Sequence, residues 1–295
     1  MRLLRRLSVL LLLVSAALCG AYYYYFEMNK DVTRPVISME ESSVVVSVDA
    51  TEEELLKGIT ATDDVDGDVS DSLFVEKLDN FSTEGTRKMT VVAFDSAGNV
   101  SKATREISYS DYASPQFQLD EALRFPVGTS DILSSLSAED VLGADLSERV
   151  KVTGRYTMSS TAGDYPMEFS VANDAGDVSY LTATVTLYDT VTEASKPTIG
   201  LKEYIVYTRV GQKITARDYL DSLIVQRISY KRSGNFFVPE TKLGDYSTLP
   251  DTIDVSDVKV SDTVDYNTPG SYEITYEYTY NDYTGTVRLI VVVCD

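Results

Sequence analysis

The chain has 295 residues, 43% hydrophobic and 24% charged, with two cysteines, no histidine, no tryptophan and a formal net charge of −20. That length accommodates two or three domains. So acidic a surface repels phosphate backbones, which argues against a nucleic-acid partner; without histidine there is no Ser-His or Cys-His pair and no imidazole metal site.

In chain order, Arg2, Arg5 and Arg6 (a basic segment, residues 1–6) precede an uncharged run from Leu7 to Phe26, 20 residues long. That is about the length a helix needs to cross a membrane, so residues 7–26 are expected to form a transmembrane signal-anchor helix. Arginines before the run and Glu27 after it leave residues 1–6 cytoplasmic and the remainder outside the cell. Tyr22 to Tyr25 suit the outer interface. Two alternatives stand beside the anchor. A cleavable signal would end at Ala21, since the strongly apolar part is Leu7 to Cys19. A lipoprotein signal would use Cys19, but Leu18 stands where such signals want a small residue. Cys19 and Cys294 leave the exported part with one thiol and no internal partner.

Residues 27–34 read as a polar stalk and Pro35 opens a first domain, residues 35–114. Val44, Val46 and Val48 alternate with polar neighbours, giving an early strand. Glu52 to Leu56 predicts a short helical turn with acids near its N-terminus. After Thr60 to Asp68 come a turn at Ser70–Ser72 and a strand around Leu73–Val75. Gly85 to Tyr109 then reads as a hairpin. Met89, Val91 and Ala93 share one face, and Asp95-Ser96-Ala97-Gly98-Asn99 supplies the turn.

That hairpin recurs. It returns at Gly163 with Met167, Phe169 and Val171 on the matching face, and at Gly270 with Ile274, Tyr276 and Tyr278. The preceding block recurs too: Ser137 to Asp140 repeats its start, Asp145 matches Asp68, and Val150–Val152 match Leu73–Val75. Polar linkers ending at Pro115 and Pro197 set a second domain at 115–196 and a third at 197–295, the third holding an insertion at 226–254. Units of this size, all strand and turn, predict β-sandwiches.

The proline-led start, A-T-D-D-V-D-G-D and G-T-R-K-M-T-V-V-A-F-D-S-A-G-N resemble bacterial Ig-like repeats of the hyaline-repeat type. They are also similar to the Ig-like modules of pesticidal crystal proteins. The resemblance spans Pro35 to Tyr109, extends to Pro115–Tyr188, and reaches Pro197–Asp295 through the last hairpin. It implies Ig-like sandwiches serving as spacer, adhesion or accessory modules of bacterial surface and secreted proteins, with no catalytic residues. With the N-terminal run, the expected fold is all-β: tandem Ig-like β-sandwiches after one transmembrane helix.

Candidate sites are few. Asp64, Asp66 and Asp68 place three carboxylates at alternate positions around Gly67, like the first half of a calcium loop. Val69 and Val75, however, stand where an EF-hand needs its glycine and closing glutamate, and an Asx-type turn uses the same residues. Domain two has Val141 and Gly143 at the first two of these positions, so calcium, the one cofactor considered, is confined to domain one. Arg209, Lys213, Arg217, Arg227, Lys231 and Arg232 could meet an anionic envelope polymer or form a solvated face. Within the insertion, Tyr230, Phe236, Phe237 and Tyr246 beside Lys231, Arg232 and Lys242 suit a binding surface for an extracellular protein or a cell-wall glycan; an extra hairpin packed on its own sheet would use the same residues. The expected function is non-enzymatic: a membrane-anchored cell-surface spacer or adhesion module. The alternative is an accessory subunit docking to a cell-envelope or exopolysaccharide assembly machinery.

Overall fold

Apolar residues spaced for a helix come first in the chain and apolar–polar alternation follows, and the secondary structure changes with them. A computed structural model describes residues 2–83, 85–153, 161–241 and 249–294. Helix α1 covers Arg2–Met28 and ends where Asn29 donates both its amide and its side chain to the Tyr25 carbonyl (3.1 and 2.9 Å). Its Arg5–Met28 portion is long and apolar enough to cross a membrane. The chain then divides into two compact units, Met1–Tyr112 and Ala113–Asp295.

In the first unit the strands are β1 (Val36–Met39), β2 (Ser43–Val46), β3 (Ile59–Asp63), β4 (Gly67–Asp68), β5 (Phe74–Thr83), β6 (Thr86–Phe94) and β7 (Val100–Tyr109). They form two sheets, β1-β3-β4 and β2-β7-β6-β5, with β2 running parallel to β7. A short helix α2 (Glu52–Leu56) starts with a capping box: Thr51 and Glu54 each bond the other's amide. It delivers Leu55 to a core with Ile59, Met89, Val91 and Ile107. Each such buried aliphatic side chain contributes about 1.5–3 kcal/mol. Buried Arg105 donates to the Leu55 and Lys57 carbonyls (3.2 and 2.8 Å) and holds the end of α2 in place.

The second unit holds two such sandwiches. One has β8 (Gln116–Leu119), β9 (Arg124–Pro126), β10 (Leu136–Glu139), β11 (Lys151–Thr153), β12 (Gly163–Ala172) and β13 (Val178–Tyr188), in sheets β10-β8 and β11-β12-β13-β9. A helical turn, α3 (Thr190–Glu193), follows. The other has β14 (Thr198–Leu201), β15 (Ile205–Arg209), β16 (Leu220–Val225), β17 (Ile228–Ser233), β18 (Phe236–Pro239), β19 (Ile253–Asp254), β20 (Lys259–Asp262), β21 (Gly270–Tyr280) and β22 (Tyr283–Cys294). Its sheets are β14-β16-β17-β18-β19 and β15-β22-β21-β20. In all three sandwiches the second strand runs parallel to the last (β2 with β7, β9 with β13, β15 with β22).

The repeated inward faces are buried as the alternation predicts. Met89, Val91 and Ala93 have no exposed surface, and neither do Phe169, Ile274 and Tyr276, while Met167, Val171 and Tyr278 are buried. Tyr276 keeps its hydroxyl satisfied by donating to the Ala216 carbonyl (2.7 Å).

The sandwiches of the second unit share a boundary. Ile290, with Tyr204, Ile205 and Val292, packs against the core of residues 117–187. Tyr207 accepts from the Phe117 amide (2.6 Å) and donates to its carbonyl (3.1 Å). Glu273 accepts from the Thr184 amide and hydroxyl (2.5 and 2.9 Å), and Arg288 pairs with Asp164 at 2.5 Å. Where the chain enters the third repeat, close approach is possible because residue 285 is glycine: a Cβ there would sit 1.8 Å from the Pro197 carbonyl oxygen.

Candidate functional site

Strand β3 carries Ile59, Ala61 and Asp63 on its inward face, so the alternation that buries two apolar residues also buries a carboxylate. Asp63 is 8% exposed. Its Oδ2 accepts from the Val65 and Asp66 amides (2.9 and 3.1 Å), whereas its Oδ1 is buried without a hydrogen-bond partner. Three further carboxylates converge on it. Oxygen atoms of Asp31, Asp63, Asp66 and Asp95 all lie within 4.8 Å of one another.

Each partner is placed by its own local chemistry. Asp95 opens the β6–β7 turn, where Gly98 adopts φ +86° and the Asn99 amide and side chain donate to the two Asp95 oxygens (2.8 and 2.7 Å). Burial works against ionisation of Asp95, but hydrogen bonds from the Asn99 side chain and the Asn99, Gly98 and Ala97 amides outweigh it and hold its carboxyl below the ordinary carboxylate range. Asp66 reaches across from the β3–β4 turn and accepts from the Ser96 amide and hydroxyl (2.8 and 2.9 Å). Asp31 lies in the segment joining α1 to β1. Its Oδ1 accepts from the Thr33 amide (2.9 Å), its backbone carbonyl accepts from Asn99 (3.3 Å), and its Oδ2 is a second buried oxygen without a partner. Among the described residues, no lysine or arginine forms an ion pair with any of the four.

Of the three predicted calcium ligands, only Asp66 is in this group. Asp64 is exposed and faces the Thr33 hydroxyl, and Asp68 accepts from the Ser70 amide (3.0 Å) as a turn cap. The calcium-loop spacing starts at Asp64, whereas the buried carboxylate is Asp63, one residue earlier on the inward face of β3, and Asp31 and Asp95 come from two other segments. Asp31, Asp63 and Asp95 were missed.

The second sandwich has the same corner with different contents. Asp140 is buried (3% exposed) at the position of Asp63, Gly143 replaces Asp66, and Asn173 replaces Asp95. The Asn173 side chain donates to Asp140 Oδ1 (3.4 Å) and accepts from the Ala175 and Asp177 amides (both 3.0 Å). An amide therefore answers the buried carboxylate.

The predicted recognition residues of the insertion separate. Lys242 and Tyr246 lie outside the described residues. Tyr230 and Phe237 have no exposed surface: β17 and β18 extend the first sheet, and their inward side chains complete its core. They are core residues, as in an extra hairpin packed on its own sheet, and not part of a surface. Arg232 donates to the Arg217 and Leu220 carbonyls, and Arg217 to those of Val255 and Val258, so both cations serve the fold. Lys231, paired with Asp221 at 2.6 Å, and Phe236 point outward, beside Ile224 and Val238.

Comparison with known proteins bears on this last sandwich first. Residues 229–289, from β17 into β22, match the model of the bacterial Ig-like domain (group 3). The chain is also 30% identical over 158 residues to pesticidal crystal protein Cry22Aa of Bacillus thuringiensis, covering 51% of this chain and 21% of that protein. These matches support a bacterial Ig-like repeat protein. A second relative, an uncharacterized 81.3 kDa protein of Acholeplasma phage L2, is 26% identical over 203 residues, or 62% of this chain and 27% of that protein. The chain thus spans about a quarter of the length of the curated relatives it matches. Among solved structures, a two-part fragment of Clostridium perfringens ZmpB (CBM51-2 in complex with GlcNAc, and INT domains) aligns over 50% of this chain and 26% of that one, at 18% identity and a TM-score of 0.21. Cadherin domains 1–5 of protocadherin gamma B2 align over 88% and 60%, at 11% identity and a TM-score of 0.22. The group 3 match takes in Tyr230, Lys231, Arg232, Phe236 and Phe237, so the strands of the insertion are part of an Ig-like repeat.

Proposed function

We propose that this protein is a non-catalytic surface module, anchored in a membrane by α1 and holding Ig-like sandwiches outside the cell as a spacer that presents its last repeat to another protein. The observation that carries this reading is the exposure of α1. Leu10, Leu11, Leu12 and Leu13 are each more than 60% exposed, and among the described residues none buries this helix. A run of bare leucines of that length is stable where hydrocarbon surrounds it. Arg2, Arg5 and Arg6 before the apolar run and Glu27 after it set the orientation by the positive-inside rule.

A protein partner fits the last repeat better than an anionic glycan. Three of its cations, Arg217, Arg232 and Lys231, already serve carbonyls or Asp221, and the whole chain is strongly acidic. What the outward face offers instead is Ile224, Phe236 and Val238 around the Lys231–Asp221 pair. The reading is tested by adding protease to intact, wall-stripped cells making the full chain. Degradation beyond about residue 30, with α1 left in the membrane fraction, is expected. A fully protected chain, or a mature N-terminus near Tyr22, would refute the anchor.

A further inference from the structure

Four aspartates meet at one corner of the first repeat, and among the described residues no lysine or arginine forms an ion pair with them. Two of their buried oxygens, Asp63 Oδ1 and Asp31 Oδ2, have no hydrogen-bond partner. Buried polar atoms are nearly always satisfied, and a carboxylate oxygen can be answered only by a proton donor or a cation. The neighbouring donors are already spent: the Val65 and Asp66 amides on Asp63 Oδ2, the Asn99 groups on Asp95 and Ser96 on Asp66. The Thr33 hydroxyl lies between Asp31 Oδ1 and Asp64 Oδ1 and has one proton to give.

We infer that Asp31, Asp63, Asp66 and Asp95 form a calcium site that clamps the segment after α1 onto the first repeat. Hard carboxylate oxygens suit a hard dication and not zinc or copper, which favour nitrogen and sulfur. Calcium–oxygen distances of about 2.3–2.6 Å put opposed ligands roughly 4.6–5.2 Å apart, against about 4.2 Å around magnesium. The observed oxygens lie within 4.8 Å of one another, inside the span of a calcium shell. Four carboxylates leave about two to four of its usual positions for water. Three ligands come from the sandwich: Asp63 from β3, Asp66 from the β3–β4 turn and Asp95 from the β6–β7 turn. The fourth, Asp31, comes from the joint. Calcium therefore ties a short polar linker, otherwise held by Asn99 and Thr33, to the body of the repeat.

The second repeat supplies the control. There Asn173 stands in place of Asp95 and donates to Asp140, so that corner needs no cation. Asp95→Asn imports the same chemistry: it removes one ligand and gives Asp63 a donor.

The test uses the full-length chain in detergent micelles, freed of metal by chelation. Calcium chloride is titrated calorimetrically, and trypsin cleavage after Lys30 is followed by mass spectrometry. The wild type should bind one calcium and resist that cleavage when calcium is present. Asp95→Asn should fold and lose both responses. Asp31→Asn, altered outside the sandwich core, should bind at least about tenfold more weakly and remains decisive if the first variant fails to fold. Asp68→Asn should bind as the wild type does. No binding by the wild type, unchanged affinity in both ligand variants, or an equal response to magnesium chloride, which would mean screening of an acidic chain, would each overturn the proposal.

Discussion

The first and second repeats share a corner and settle it in opposite ways. In both, an aspartate at or just past the end of the third strand is buried (Asp63, Asp140), and a second aspartate caps the next turn through a serine (Asp68 with Ser70, Asp145 with Ser147). The repeats part at the hairpin turn. Asn173 turns an N–H toward Asp140, while Asp95 brings a second negative charge toward Asp63, with Asp66 and Asp31 adding two more. One network is closed by its own residues and the other is left open. A change from amide to carboxylate, invisible to hydrophobic patterning, is enough to convert a structural corner into a cation site.

The largest effects should fall where the two repeats agree. Val91→Asp and Phe169→Asp each put a charge at the same fully buried position, and each should cost more than about 4 kcal/mol and unfold its own repeat. Thr90→Asp and Glu168→Lys, on the alternate face, should stay within about 0.5 kcal/mol. Urea melts followed by hydrogen exchange would show it, and equal damage from both sets would break the shared alternation.

Next in size is Gly285→Ala, whose methyl group would meet the Pro197 carbonyl. It should cost about 1–3 kcal/mol. The melt of the second unit should shift while that of the first stays in place.

Asn173→Asp sharpens the comparison directly. It sets two carboxylates against each other at a buried corner that has Gly143 where the first repeat has Asp66. About 1–3 kcal/mol should be lost at neutral pH. Like-charge proximity raises the folded carboxyl value above the unfolded one, so the loss should fade as pH falls through that raised value. Calcium should not rescue it; rescue would mean that two carboxylates suffice.

The smallest effects belong to the caps. Hydrogen bonds from the side chain and amide of Ser70 lower the Asp68 carboxyl below its ordinary 3.8, and Ser147 does the same for Asp145. Each cap therefore stabilises fully above the unfolded value and loses its effect as pH falls through the lowered one. Asp68→Asn and Asp145→Asn should give small, matching shifts in thermal melts near neutral pH that disappear in acid. A large loss for Asp68 alone would restore it as a cation ligand.

Much of the fold was legible because two-residue periodicity reports directly on burial. Met89, Val91 and Ala93 and their two sets of counterparts are the core that the alternation describes. The insertion was harder to read. Aromatic residues beside cations look alike on an exposed loop and on strands added to a sheet, and only the pairing of β17 with β16 and of β18 with β17, with their burial, shows Tyr230 and Phe237 facing inward. The acidic corner was half legible. The Asp-rich stretch stood out, but convergence of Asp31 with Asp95 is a long-range fact set by packing. The usable signal was Asp63 itself, in phase with Ile59 and Ala61 and hence due for burial without an apolar side chain.

The most direct measurement is hydrogen exchange on the full chain with and without calcium, read in both repeats at once. Slower exchange at residues 29–34, 62–68 and 95–99, with no change at 138–146 and 171–177, is the expected result. Equal responses at the two corners, or none at either, would contradict the claim that Asp95 in place of asparagine makes the first corner a cation site.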